Sequence, residues 1–151
     1  MKIAVAYYSR HHGNTRKLLD AIKEQGDVEL IDVVECKNAD LSGYDIIGFA
    51  SGIYFSNFSK AVLEFARNNL PERKRVFLIQ TYGVKGYYTK DIKRIIAKKS
   101  CKLLGIYGCR GFDTFGPFKL FGGIAKGHPN EKDVKGAVEF FRKIVRKEKH
   151  V

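Results

Sequence analysis

Residues 3–15 read Ile3-Ala4-Val5-Ala6-Tyr7-Tyr8-Ser9-Arg10-His11-His12-Gly13-Asn14-Thr15, an apolar run that passes straight into a polar turn and then into helix-forming sequence. An unbroken apolar run of this length reads as a buried parallel strand, because a strand covered on both faces has no polar side to present. The turn after it places Ser9, Gly13, Asn14 and Thr15 at the start of a helix, where first-turn N–H groups lack intrahelical acceptors and the helix dipole is positive. A phosphate suits such a pocket.

Several familiar phosphate sites are excluded by the residues themselves. No Gly followed by four spacers and Gly-Lys-Ser/Thr is present, and the first turn lacks the three glycines of a dinucleotide fingerprint. A response-regulator receiver would need an acidic pair after the first strand and an Asp ending the third, where this chain has Tyr7-Tyr8-Ser9 and Phe49-Ala50-Ser51. What remains is a loop whose donors are hydroxyls and backbone amides, with Gly13 allowing close backbone approach. This turn resembles the FMN phosphate loop of the flavodoxin family, a Ser/Thr-rich turn ending in Gly-x-Thr. His11 and His12 stand where that family often carries small hydroxyl residues.

The rest of the chain alternates strand and helix. Strands are expected at residues 2–8, 28–34, 44–50, 76–81 and 103–108, and helices at about 14–26, 59–69, 89–99 and 132–146. The helices carry apolar stripes: Leu18, Leu19 and Ile22 in the first, Ile92, Ile95 and Ile96 in the third, and Val134, Val138, Phe141 and Val145 in the last. Residues 51–57 are expected as a turn. Parallel strands need crossover connections, which predicts a three-layer α/β fold with a five-stranded parallel sheet of order 2-1-3-4-5. In such a sheet a ligand sits beyond the carboxyl ends of the strands, between strands one and three. Loops 9–15, 51–57 and 81–87 border that point, and the last two bring Tyr54, Phe55 and Tyr82.

With these elements in place the flavodoxin resemblance extends over nearly the whole chain. It implies a flavodoxin-like fold that holds FMN, with phosphate-loop contacts from Ser9, Arg10, His11, Gly13, Asn14 and Thr15. It further implies ring contacts from Gly52, Ile53, Tyr54 and Phe55 in the second loop and from Thr81, Tyr82 and Gly83 in the third. The activity it implies is electron transfer to and from redox partner proteins. An FMN-dependent NAD(P)H or ferredoxin oxidoreductase acting on quinone, oxygen or another small acceptor is the alternative on the same fold. A flavin-free binding module is a third reading, since fold does not fix function.

Composition bounds these readings. The chain has 151 residues, 44% of them hydrophobic, which fits one domain able to build a full core. No apolar stretch is long enough to span a bilayer, and no signal peptide is expected ahead of the first strand. Cys36, Cys101 and Cys109 are odd in number and scattered, which predicts a reducing, cytoplasmic setting rather than a disulfide framework. Neither they nor His11, His12, His128 and His150 show a metal-ligand spacing. With 28 Lys and Arg against 16 Asp and Glu the formal net charge is +12, which favours acidic partners and faster encounter with them. The basic residues fall on helix faces and turns without a recognised nucleic-acid module, so a solvated basic surface is preferred to a nucleic-acid site. Monomer and homodimer both remain open.

Residues 109–130 form an insertion-like loop too long for a routine strand-to-helix connection, and loops of that length are usually functional or disordered. Phe112, Phe115, Phe118 and Phe121 argue against disorder. The Cys-Arg-Gly-Phe-Asp-Thr and Gly-His-Pro-Asn elements resemble an extension in some flavodoxin-domain proteins of anaerobes, which implies that the segment folds over the flavin edge or makes a subunit contact. Arg110, Asp113 and His128 are its candidate polar groups. Phosphate and ring contacts are expected from the other loops.

Overall fold

A computed structural model of the chain describes residues 1–10, 13–112, 123 and 125–150. Among them β1 (Ile3–Tyr8), β2 (Val28–Asp32), β3 (Ile46–Tyr54), β5 (Arg75–Tyr82) and β6 (Lys102–Arg110) form a parallel sheet of order β2-β1-β3-β5-β6. Counting long strands alone, that is the expected order 2-1-3-4-5. Helices α1 (Asn14–Lys23), α2 (Lys60–Asn69), α3 (Lys90–Lys98) and α4 (Glu131–Lys149) complete the three layers.

The central strands are apolar because both of their faces are covered. On one side Ala4, Ala6, Ile47, Phe49 and Leu78 pack with Val62, Phe65, Ile92 and Ile96 of α2 and α3. On the other, Ile3, Val5, Phe77 and Ile79 meet Leu18, Leu19 and Ile22 of α1 and Ala137, Phe141 and Ile144 of α4. Leu18, Leu19 and Ile22 are fully buried, and each such side chain contributes about 1.5–3 kcal/mol over its exposed state. Gly48 is needed for this packing, because a Cβ there would lie 2.5 Å from the Phe77 ring on the neighbouring strand.

The turn expected at residues 51–57 is instead a hairpin. β3 continues to Tyr54 and reverses into a two-residue strand, β4 (Asn57–Phe58), with Tyr54 opposite Asn57 and Ile53 opposite Phe58. Its two connecting residues, Phe55 and Ser56, have φ of 51° and 60°. Two left-handed residues in a row match the twist of a tight hairpin but normally call for Asn or Gly. Side chains held there cost on the order of 1–3 kcal/mol each, a strain that the surrounding structure has to offset. Ser59 then starts α2, its hydroxyl accepting from the Ala61 N–H while its own N–H donates to the Ser51 hydroxyl at 2.9 Å.

The inward face of α4 keeps Phe141 as expected but is otherwise turned, with Val134 and Val145 packed at its margin. Ala137, Phe141, Ile144 and Glu148 are buried, whereas Val134, Val138 and Val145 are only half-buried. Two contacts set this rotation. Gly136 gives room to the Tyr107 hydroxyl, which would lie 2.6 Å from a Cβ, and Glu148 pairs with Arg75 at 2.8 Å. Asn130 and Asp133 close the start of α4 with a reciprocal capping box. Among the described residues no helix is long and apolar enough to cross a membrane.

Candidate functional site

The parallel register brings the carboxyl ends of the strands level, with Tyr8 beside Ser51, Gly52 beside Thr81, and Thr81 beside Cys109. β1 has β2 on one side and β3 on the other, so the chain changes direction across the sheet at that point and leaves a crevice. A cleft lies there, lined by Ser9, Asn14, Thr15, Gly52, Ile53, Tyr54, Thr81, Tyr82, Gly83, Gly111 and Phe112. Every one of these side chains is uncharged. Among the described residues the cleft therefore presents amides, hydroxyls and aromatic faces rather than charged groups.

The first wall is the start of α1. Gly13 precedes the helix with φ 63° and has no side chain to cap it. Ser9 takes that part, its hydroxyl accepting from the Arg16 N–H at 3.0 Å, which leaves the hydroxyl proton available for another acceptor. Asn14 and Thr15, the first two helical residues, are both buried against the cleft. The Thr15 hydroxyl lies 3.0 Å from that of Thr81, joining this wall to the end of β5. Arg10 is directed elsewhere: its guanidinium is 3.0 Å from Asp32 and 3.7 Å from Glu35, and it lies over the Tyr8 ring.

Tyr54 and Tyr82 stand on the other two loops. Tyr54 meets Tyr8 edge to face at 5.6 Å, and its hydroxyl folds back over Gly52. Tyr82 rests against Tyr88 with ring centroids 6.2 Å apart. Burial raises the Tyr82 hydroxyl above the usual tyrosine value, so it stays a neutral donor. Phe55 does not line the cleft. It sits at the hairpin tip, 87% exposed.

A fourth wall, Gly111 and Phe112, comes from the segment expected to fold over the flavin edge or make a subunit contact, with phosphate and ring contacts left to the other loops. The Gly111 N–H donates to the Tyr82 carbonyl at 2.9 Å, and Arg110 Nε donates to the Gly83 carbonyl at 3.2 Å. Asn14 Nδ2 donates to the Phe112 carbonyl at 2.8 Å. The Phe112 N–H in turn donates to the His128 carbonyl, and His128 Nδ1 lies 2.7 Å from Asp133 Oδ2. The Gly-His-Pro-Asn element thus ties this wall to the start of α4. The available signal was positional, since residues just beyond the end of β6 must also reach the carboxyl edge of the sheet.

Cys109 is buried beside Thr81 on the neighbouring strand, and burial pushes its thiol up to about 12, which makes it a packed, unreactive group at neutral pH. Among the described residues no group of three or more His, Cys, Asp or Glu could hold a metal ion. His11, His12, Asp113, Phe115, Phe118 and Phe121 lie outside the described residues.

Comparison with known proteins agrees with this architecture. A family model described as a flavodoxin domain matches residues 4–104. An uncharacterised protein of Methanocaldococcus jannaschii, MJ0298, is 35% identical over 149 residues, covering 97% of this chain and 99% of that one. A solved flavodoxin from the domain Archaea superposes with a TM-score of 0.68 at 18% identity, over 99% of this chain and 100% of that chain. A flavoprotein from Lactobacillus acidophilus solved in complex with FMN superposes with a TM-score of 0.53 at 18% identity, over 71% of this chain and 92% of that one.

Proposed function

The chain belongs to the flavodoxin-domain family, and on that premise we propose that it binds FMN in the cleft at the carboxyl edge of the sheet and serves as an electron carrier. The observation that carries this reading is the composition of the cleft walls: neutral donors and a helix start at one end, two tyrosines on the neighbouring loops, and no carboxylate, imidazole, ammonium or guanidinium among the described lining residues.

The residues fit the group. An anionic phosphate is favoured where Gly13 gives the backbone an open approach to α1 and where Ser9 and Thr15 hold hydroxyls. Asn14 Oδ1 is buried without a hydrogen-bond partner among the described residues, while its Nδ2 is engaged with Phe112. A ligand bearing hydroxyl or N–H donors would satisfy that oxygen, and a bare phosphate would not. The FMN-bound Lactobacillus acidophilus flavoprotein supports the same assignment by likeness of fold.

When bound, FMN supplies the redox chemistry, taking up and releasing electrons. The chain binds and orients the group: α1 and Thr15 hold the phosphate end, while Tyr54 and Tyr82 flank the ring and shield it from water. The Gly111–Phe112 wall locks Asn14. Releasing the cofactor from the purified protein, identifying it, and titrating FMN back into the apoprotein tests the reading.

A further inference from the structure

Among the described residues, five large hydrophobic side chains are exposed, and three of them, Phe55, Val84 and Tyr87, lie on the two loops that continue from the cleft lining. These loops share one support. Asn57 Nδ2 donates to Asp91 at 2.6 Å, fastening the Phe55 hairpin to the first turn of α3. Lys93 on the next turn places its ammonium 5.0 Å from the centre of the Tyr87 ring. Phe55 at 87% and Tyr87 at 65% exposure are therefore presented from the same end of one helix.

The charge on these two loops is predominantly positive. Residues 52–60 and 83–96 carry Lys60, Lys85, Lys90, Lys93 and Arg94 but a single carboxylate, Asp91. That carboxylate already accepts from Asn57 and lies 3.9 Å from Arg94. Exposed aromatic and aliphatic groups inside a cationic border have the anatomy of a protein interface, with an apolar centre and a polar rim. We propose that this rim of Phe55, Val84 and Tyr87, bordered by Lys85, Lys90 and Lys93, is the docking surface for the carrier's redox partner, a protein that presents carboxylates around a small apolar contact. This rests on the electron-carrier reading, which gives the cleft a protein partner. Positive charge placed here steers an acidic face toward the cleft.

The test compares two double charge reversals of equal net change. Lys85→Glu with Lys90→Glu alters the rim, and Lys90 is the first residue of α3, where a carboxylate is favoured by the helix dipole. Lys102→Glu with Lys143→Glu alters the amino edge of the sheet, where β6 starts and α4 approaches its end. An oxidised acidic ferredoxin serves as the probe, with its affinity read at an ionic strength of about 10 mM, where exposed charges act over long range. The rim reversal is expected to weaken binding by about tenfold or more and the distant pair by less than about twofold. Equal loss in both variants, or no binding to the wild type, overturns the proposal. Rim-dependent binding of a single-stranded RNA in place of the ferredoxin also overturns it, as does self-association that Tyr87→Ser abolishes while ferredoxin binding persists. FMN content, measured on the same samples, reports separately on the carrier reading: a chain that takes up no FMN but binds the probe through the rim loses that reading and keeps the docking surface.

Discussion

The hydroxyl oxygens of Thr15 and Thr81 lie 3.0 Å apart in the buried base of the cleft, so the loop after β1 and the end of β5 are held by one shared proton. Each threonine has a single O–H to give. If Thr81 donates to Thr15, the Thr15 proton is left for a phosphate oxygen. Thr15→Val should then weaken FMN by about 1.5–3 kcal/mol, the worth of a hydrogen bond to a charged group. Riboflavin, lacking the phosphate, should lose little. Equal loss for both ligands in parallel titrations would mean that Thr15 acts through packing.

Tyr54 and Tyr82 line the cleft whereas Phe55 does not. Substituting each by Leu keeps an apolar side chain and removes the π face. Tyr54→Leu or Tyr82→Leu should raise the fluorescence of bound flavin and shift its reduction potential, and Phe55→Leu should leave both unchanged. A response from Phe55 alone would move the ring toward the hairpin tip.

Gly111 is the closest backbone approach in the fourth wall, since a Cβ there would fall 2.7 Å from Asn14 Nδ2 and 2.9 Å from Asn14 Cγ. Gly111→Ala should displace Asn14 from the Phe112 carbonyl and weaken FMN about tenfold, or about 1.4 kcal/mol. Gly43, with open space around its Cβ position, serves as the control, and Gly43→Ala should leave affinity unchanged. Unaltered affinity in Gly111→Ala would separate this wall from the cofactor site.

Burial pushes the Cys109 thiol from 9.0 to about 12 and the Tyr107 hydroxyl from 10.0 to about 12. The folded state then holds these protons more tightly than the unfolded chain does. Their contribution to stability is complete below the unfolded values and is lost as pH rises through the folded ones, between 9.0 and about 12. Urea unfolding should show declining stability across that window, with a shallower decline in Cys109→Ala. An identical slope in the variant would remove Cys109 from the account.

Much of this was legible in the sequence, and the exceptions have physical causes. The unbroken apolar strands and the helical stripes at Leu18, Leu19 and Ile22 and at Ile92, Ile95 and Ile96 encode the parallel sheet directly, because continuous burial leaves a continuous pattern. Ser9, Asn14 and Thr15 could be assigned to the cleft since a strand-to-helix turn at the switch point has one place to go. The hairpin at Phe55 and Ser56 carries no Gly or Asn-Gly signal, so the left-handed conformation there is imposed by the β3–β4 pairing. The face of α4 follows Gly136 and the Arg75–Glu148 pair rather than its valines. Gly111 and Phe112 escaped because their place depends on hydrogen bonds to Tyr82 and His128, far away in the chain.

FMN binding in the cleft is read by equilibrium titration of flavin fluorescence with the apoprotein. Saturable quenching at one FMN per chain is expected, with riboflavin bound more weakly by at least the roughly 1.5 kcal/mol of a charged hydrogen bond. Unquenched fluorescence at saturating apoprotein, or equal affinity for FMN and riboflavin, would contradict it.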